Sequence, residues 1–196
     1  AAATLAIMSG FHVILALHLI AVAAAFFLSG ILHTSEWLTR GCTTLAELRQ
    51  VLRPMKLGPL FAPIILLLFG FGMALVGMSK DEDEVFHVSD PFAWTAIVVL
   101  AVLFLNGPLV MGRHAAKTGK ALAEMGDGPV TPEARAMVTD AVVWMTGYAN
   151  TATVIAVIYN MANKPSAAVC IADILGAAIL GALLGRAMAS KARTPA

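Results

Sequence analysis

The sequence predicts an all-α fold: a polytopic membrane helix bundle with five transmembrane helices, the N-terminus outside and the C-terminus inside. Three observations carry this. Of 196 residues 59% are hydrophobic and only 13% charged, with a mean hydropathy of +0.83, too apolar for an ordinary soluble domain. Five separate stretches reach the roughly 20 apolar residues that a helix needs to cross about 30 Å of hydrocarbon. Eleven of the thirteen Lys and Arg fall in alternate connections that share one side of such a bundle. By the positive-inside rule that side faces the cytoplasm.

The first span covers residues 5–32. Its opening, AAATLAIMSG, lacks a basic n-region and its apolar stretch is longer than an h-region, so it reads as a span and not as a cleaved signal. The connection after it carries Arg40, Arg49, Arg53 and Lys56, and its TTLAELRQVL segment has the spacing of a short surface helix. The second span, 60–78, leads into SKDEDEVFHVSDPF, with five acidic residues in the ten positions from Asp81 to Asp90. That loop does not match the twelve-residue calcium loop. It reads as a soluble outer connection, with cation or basic-partner docking as the other reading. Asp90 and Pro91 are a cap and first-turn proline for the third span, 92–111.

Within that span Pro108 deprives the Phe104 carbonyl of its helical donor and should bend the helix near Asn106. Arg113, Lys117, Lys120 and Arg135 follow. Thr131 and Pro132 then read as the cap and first residue of a helix. The fourth span, 141–159, sets Asn150 between Thr146 and Thr153, a polar side that should face other helices. The fifth, 167–188, repeats Asp173, Ala177, Gly181 and Gly185 every four residues, a small-residue ladder for close helix packing. Asp173 on the same ladder is a carboxylate within hydrocarbon and is expected to meet a partner or a polar cavity. The whole chain, 1–196, reads as one transmembrane domain.

Five histidines are the candidate cofactor ligands. At helical periodicity His12, His18 and His33 fall within an arc of about 120° that also holds Ser29 and Glu36, so this side of the first helix should face protein. His12 and His18 stand about 9 Å apart along the axis, and His18 and His33 about 22 Å, too far for either pair to chelate one ion. Help from another helix is required. His87 lies near the outer end of the bundle and His114 near the inner end, so pairs with the first-span histidines are geometrically allowed. His18 leads, because every placement of the span leaves it within the apolar region, where a neutral ring needs a partner. Candidate cofactors are haem b or a copper ion, with His18 the candidate metal ligand. Cys42 and Cys170 form no CxxC or zinc spacing and fall near opposite faces.

No HExxH, P-loop, GxSxG or Rossmann glycine pattern occurs, so no catalytic residue is assigned and an enzymatic role stays open. The basic residues follow membrane side and form no nucleic-acid motif.

LHLIAVAAAFFLSG (Leu17–Gly30), LRPMKLGPLFAPIILLLFGFGMAL (Leu52–Leu75) and MANKP (Met161–Pro165) resemble an uncharacterised family of small bacterial integral membrane proteins, distantly like the membrane domain of copper-resistance proteins of the D type. Where that family has a tryptophan and a glycine pair in its first span, this chain has AAAFFLSG. The resemblance implies metal or haem at His18 and supplies no reaction. The favoured expectation is an accessory or structural subunit of a membrane complex in the bacterial inner membrane, packed in lipid against other membrane subunits. The alternatives are a haem- or metal-binding electron-transfer protein, and a proton or small-solute transporter that would use Asp173, Asn150 and Asn106. No inverted repeat supports transport.

Overall fold

A computed structural model describes residues 10–81 and 85–193 of the chain; the start of the first span and Glu82–Glu84 of the acidic loop lie outside the described residues. Among these residues there are eight α-helices: α1 Gly10–Leu38, α2 Leu45–Val51, α3 Phe61–Met78, α4 Pro91–Asn106, α5 Arg113–Glu124, α6 Pro132–Val138, α7 Ala141–Asn163 and α8 Ala167–Arg193. Five helical stretches are long and apolar enough to cross a membrane. The bundle is all-α. Large apolar side chains point outward along them, with Phe27 73% and Leu180 69% exposed, a surface suited to lipid and not to water.

Local chemistry sets the ends. Thr44 and Glu47 form a capping box on α2, each side chain bonding the other's backbone N–H. The Asp140 carboxylate accepts from the Val142 and Val143 amides and starts α7. Thr131 accepts from the Ala134 amide, with Pro132 next, as the TP pair predicts. Lys164 closes α7 in the left-handed conformation, at φ 49°, with its amide on the Asn160 carbonyl, and Pro165 prevents continuation.

Two expectations change. Asp90 occupies the cap position of α4, but its carboxylate turns back to accept from the His87 amide at 2.8 Å and makes no bond to the helix. Around Pro108 the chain adopts a π-helical turn, Gly107–Gly112, between α4 and α5. A proline has no N–H to give, and widening the turn redistributes the bonding without ending the helix. The third span therefore continues as one helical stretch from Pro91 to Glu124, well past residue 111.

Packing begins with two antiparallel pairs. α1 lies along α3, and α7 along α8, while α4 contacts α3, α7 and α8 and joins the pairs. The α7–α8 contact is backbone to backbone. A Cβ on Gly181 would stand 2.6 Å from the Tyr148 carbonyl oxygen, and one on Gly185 2.5 Å from that of Trp144. At the turn end, buried Asn160 donates to the Cys170 carbonyl at 3.2 Å. At the other end Trp144, fully buried, donates its indole N–H to the Val138 carbonyl and packs with Ala189 and Ala192.

On the side that carries the basic connections, α2, α5 and α6 enclose a small apolar core of Cys42, Leu45, Leu48, Leu122, Ala134 and Val138. Arginines tie it. Arg135 donates to the carbonyls of Thr39 at 2.5 Å and Cys42 at 2.8 Å; Arg49 donates to those of Leu122 and Met125 and pairs with Asp127. Carbonyls at helix ends and in the connections are thereby given charged donors. The positive charges counted by membrane side thus also close this end of the fold.

Gly185→Ala should force α7 and α8 apart at backbone atoms and cost about 1–3 kcal/mol, whereas Gly176→Ala, with nothing within 4 Å, should be neutral. Thermal melts in detergent read the difference. A second expectation concerns pH: amide and hydroxyl donors from Thr43 and Thr44 hold the Glu47 carboxyl below its usual range. A depressed carboxyl stabilises above its unfolded value, about 4.3, and the benefit is lost as pH falls through the folded value. The melting-temperature gap between wild type and Glu47→Gln should be level above that pH and close below it.

Candidate functional site

The hydrogen bonds of the histidines separate their roles, because a ring nitrogen already bonded cannot also serve a ligand. His114 on α5 places Nε2 3.1 Å from the Met137 carbonyl oxygen and from Thr118 Oγ1. Since a carbonyl only accepts, Nε2 carries the proton and His114 ties α5 to α6. The His87 backbone belongs to the Asp90 turn, and the His12 ring meets that of Phe11 edge-on.

His33 on α1 uses both nitrogens. Nδ1 lies 2.9 Å from Glu36 Oε2 and Nε2 2.9 Å from Thr151 Oγ1 on α7; its ring centroid is 4.3 Å from that of Tyr148. Gly147 faces the ring, where a Cβ would make an ordinary contact at 3.6 Å. Glu36 is buried. Asn106 and Asn150, one residue before Thr151, meet across α4 and α7 at 3.4 Å beside the π-helical turn. π-turns of this kind recur at functional sites.

His18 differs. Its ring lies against α3, where it meets the backbone of Leu68 and passes 3.8 Å from the position of a Cβ on Gly72. Its Nδ1 is buried and has no hydrogen-bond partner. The ring lines a cavity of about 180 Å³ between α1, α3 and α4, walled by Leu15, Phe69, Phe92 and Leu100. Phe86 and Lys164 also line it; the Lys164 ammonium sits 4.6 Å from the Phe86 ring centroid. A Leu68 carbonyl that accepts from Nε2–H leaves Nδ1 as a bare lone pair beside this apolar space.

The residues around His18 form neither a paired-histidine haem site nor a cluster of three metal ligands. No second histidine of the described residues lines the cavity opposite His18, so a haem there would have a single histidine ligand from its lining. Among the described residues no group of three or more His, Cys, Asp and Glu could hold a metal ion, so His18 does not anchor a copper site of that kind. Cys42 and Cys170 are both free and buried.

The intramembrane polar residues do not converge on one path. Asn106 bonds Asn150, while Asp173 on α8 keeps one buried oxygen without a partner. Ala177 stands on the same helix, and Gly181 and Gly185 are used against α7 of the same chain. Thr151 and Tyr148 were not singled out by sequence. Their signal was Gly147, a small residue one turn before a hydroxyl on a helix that also carries Asn150.

Comparison with protein-family models, with curated proteins and with solved structures finds no match for this chain.

Stability should distinguish the two rings. Replacing His33 by Leu strands the buried Glu36 and should destabilise by about 3–5 kcal/mol. His18→Leu removes an unsatisfied nitrogen and should leave the melting temperature unchanged or raise it, as expected where a group serves a ligand at the expense of stability.

Proposed function

We propose that this chain is a multi-pass membrane protein that binds a small, lipid-soluble molecule with a hydroxyl group, of the size of a single substituted ring, in the His18 cavity. A phenol or hydroquinol has that chemistry. The observation that carries the reading is the buried, unpartnered Nδ1 of His18 at the wall of an apolar cavity of about 180 Å³. Apolar cavities of about 150 Å³ hold a benzene ring and stay dry without one. A ligand O–H donating to Nδ1 would satisfy the orphan nitrogen, and the phenylalanines would hold the ring. Flanking hydrocarbon leaves room for a tail to extend into lipid.

The resemblance to the copper-resistance group also directs attention to His18, and it enters here as support for the position alone. By the charge distribution the protein sits in the bacterial inner membrane with its N-terminus outside and the His18 end of the bundle toward the outer half. A binding protein of this size fits the role of an accessory subunit that presents its ligand to other membrane subunits. The apolar outward faces of α1 and α8 are where such subunits would pack, since the glycine ladder is already occupied. With hydroquinol as ligand, the same subunit would belong to an electron-transfer complex.

Binding of a short-tailed hydroquinone to the detergent-solubilised protein tests this, with its dimethyl ether as the control that lacks O–H. Wild type should prefer the hydroquinone by roughly 2- to 13-fold, the worth of one net hydrogen bond of about 0.5–1.5 kcal/mol. His18→Leu should abolish the preference. Equal affinity for both probes would remove His18 from the reading. A Soret band in the purified protein, lost in a folded His18→Ala variant, would replace it with haem ligation.

A further inference from the structure

We propose that His33, Glu36 and Thr151 form an exchangeable one-proton site between α1 and α7, in which the bound proton sets the direction of the Thr151 hydroxyl. The argument is a count of hydrogens. Thr151 Oγ1 lies 3.2 Å from the Gly147 carbonyl oxygen and 2.9 Å from His33 Nε2. A carbonyl can only accept, so when the hydroxyl hydrogen goes to Gly147 the Nε2 contact needs a hydrogen on the ring, and when it goes to Nε2 that nitrogen is the lone pair. The 2.9 Å contact between Nδ1 and Glu36 Oε2 needs another. A neutral imidazole and an ionised carboxylate have one hydrogen between them, which serves the Nδ1–Glu36 contact and leaves Nε2 to accept from Thr151; a second hydrogen on the ring turns the hydroxyl to Gly147.

The loaded site holds one proton more than that reference. The two descriptions, imidazolium beside carboxylate or neutral ring beside carboxylic acid, have the same net charge of zero and satisfy the same contacts. Loss of the proton has one consistent outcome. Nδ1 keeps its hydrogen to face the carboxylate, Nε2 becomes a lone pair, and the Thr151 hydroxyl swings from the Gly147 carbonyl to donate to Nε2. Proton release thus leaves a net negative charge in a buried place and re-aims one bond across the α1–α7 contact.

The surroundings contain few other charges. On α7 the titratable neighbour is Tyr148, whose ring lies on His33; from the π-helical turn the neighbour is Met111, uncharged. Beyond α1, Arg40 lies over the Trp37 ring, and Arg135 from α6 is held on the carbonyls of Thr39 and Cys42. Arg193 of α8 donates to the Thr139 carbonyl. His33 is the more accessible member, its side chain 22% exposed against 8% for Glu36, so exchange runs through the imidazole on the side of the basic connections.

The test is ¹⁵N NMR of the full chain with labelled histidine in lipid nanodiscs, from about pH 5 to about pH 9, His33 being assigned by its loss in His33→Gln. The expected result is that His33 ends at high pH as the Nδ1–H tautomer, opposite to the Nε2–H form that a free imidazole prefers. In Glu36→Gln the transition to that tautomer should disappear, because the amide can donate to Nδ1 and complete the contacts without an extra proton. Thr151→Val should keep the Nδ1–H tautomer, which Glu36 sets, but move the Nε2 resonance to that of a nitrogen without a hydrogen bond, and Thr151→Ser should restore it, which guards against a variant that merely misfolds. A high-pH Nε2–H tautomer in wild type would overturn the proposal. So would a ring whose protonation does not change over the whole range, which would make the pair a fixed structural contact.

Discussion

The approach of α8 to α7 at Gly181 and Gly185 governs the rest of this molecule. In hydrocarbon no hydrophobic drive holds helices together, so attraction must come from packed atoms at short range. Two absent side chains let the α8 backbone rest on the carbonyls of Trp144 and Tyr148. That contact fixes the rotation of α7, and α7 carries Tyr148, Asn150 and Thr151 toward α1 and α4. The polar cluster of His33 is thereby placed by glycines that touch none of its members.

The chain divides its polar groups between two ends of one helix. His33 is fully bonded, and its environment explains every hydrogen it carries. His18, four turns earlier on α1, has a nitrogen without a partner and an apolar space beside it. The first arrangement favours order and the second leaves an interaction for something else to complete. Among the four buried side-chain atoms without a partner in the described residues, those of His18, Arg40, Asn160 and Asp173, the nitrogen of His18 is the one that lines the cavity.

Much of the scaffold was legible because it depends on local rules. Five apolar stretches, the TP cap before α6 and the GALLG spacing each follow from length, backbone donors or side-chain size. Pro108 correctly marked a disturbance, but periodicity alone could not say whether the helix would bend or widen into a π turn, since the answer lies in how the carbonyls regroup. Asp90 was assigned to the helix it precedes, whereas the His87 amide on its other flank took the carboxylate. The site was less legible. Glu36 was visible on the His33 arc, but Thr151 is 118 positions away and its contact exists only after α7 has been rotated into place. His18 stood out by depth; its unpartnered nitrogen depends on where α3 and α4 leave a gap.

The arginine ties of the basic-side cap also bear on the order of biosynthesis. Arg135 is 96 positions from Thr39, whose carbonyl it serves. At a synthesis rate of about 5–20 residues per second that carbonyl, served locally by the Cys42 amide, waits roughly 5–20 s for its charged donor. Through this interval the end of α1 and the α2 segment have only their local bonds, the Cys42 amide and the Thr44–Glu47 capping box, and the third span enters the membrane before the cap can close. Closure of the cap is therefore a late event, set by the ribosome and not by the intrinsic speed of helix packing.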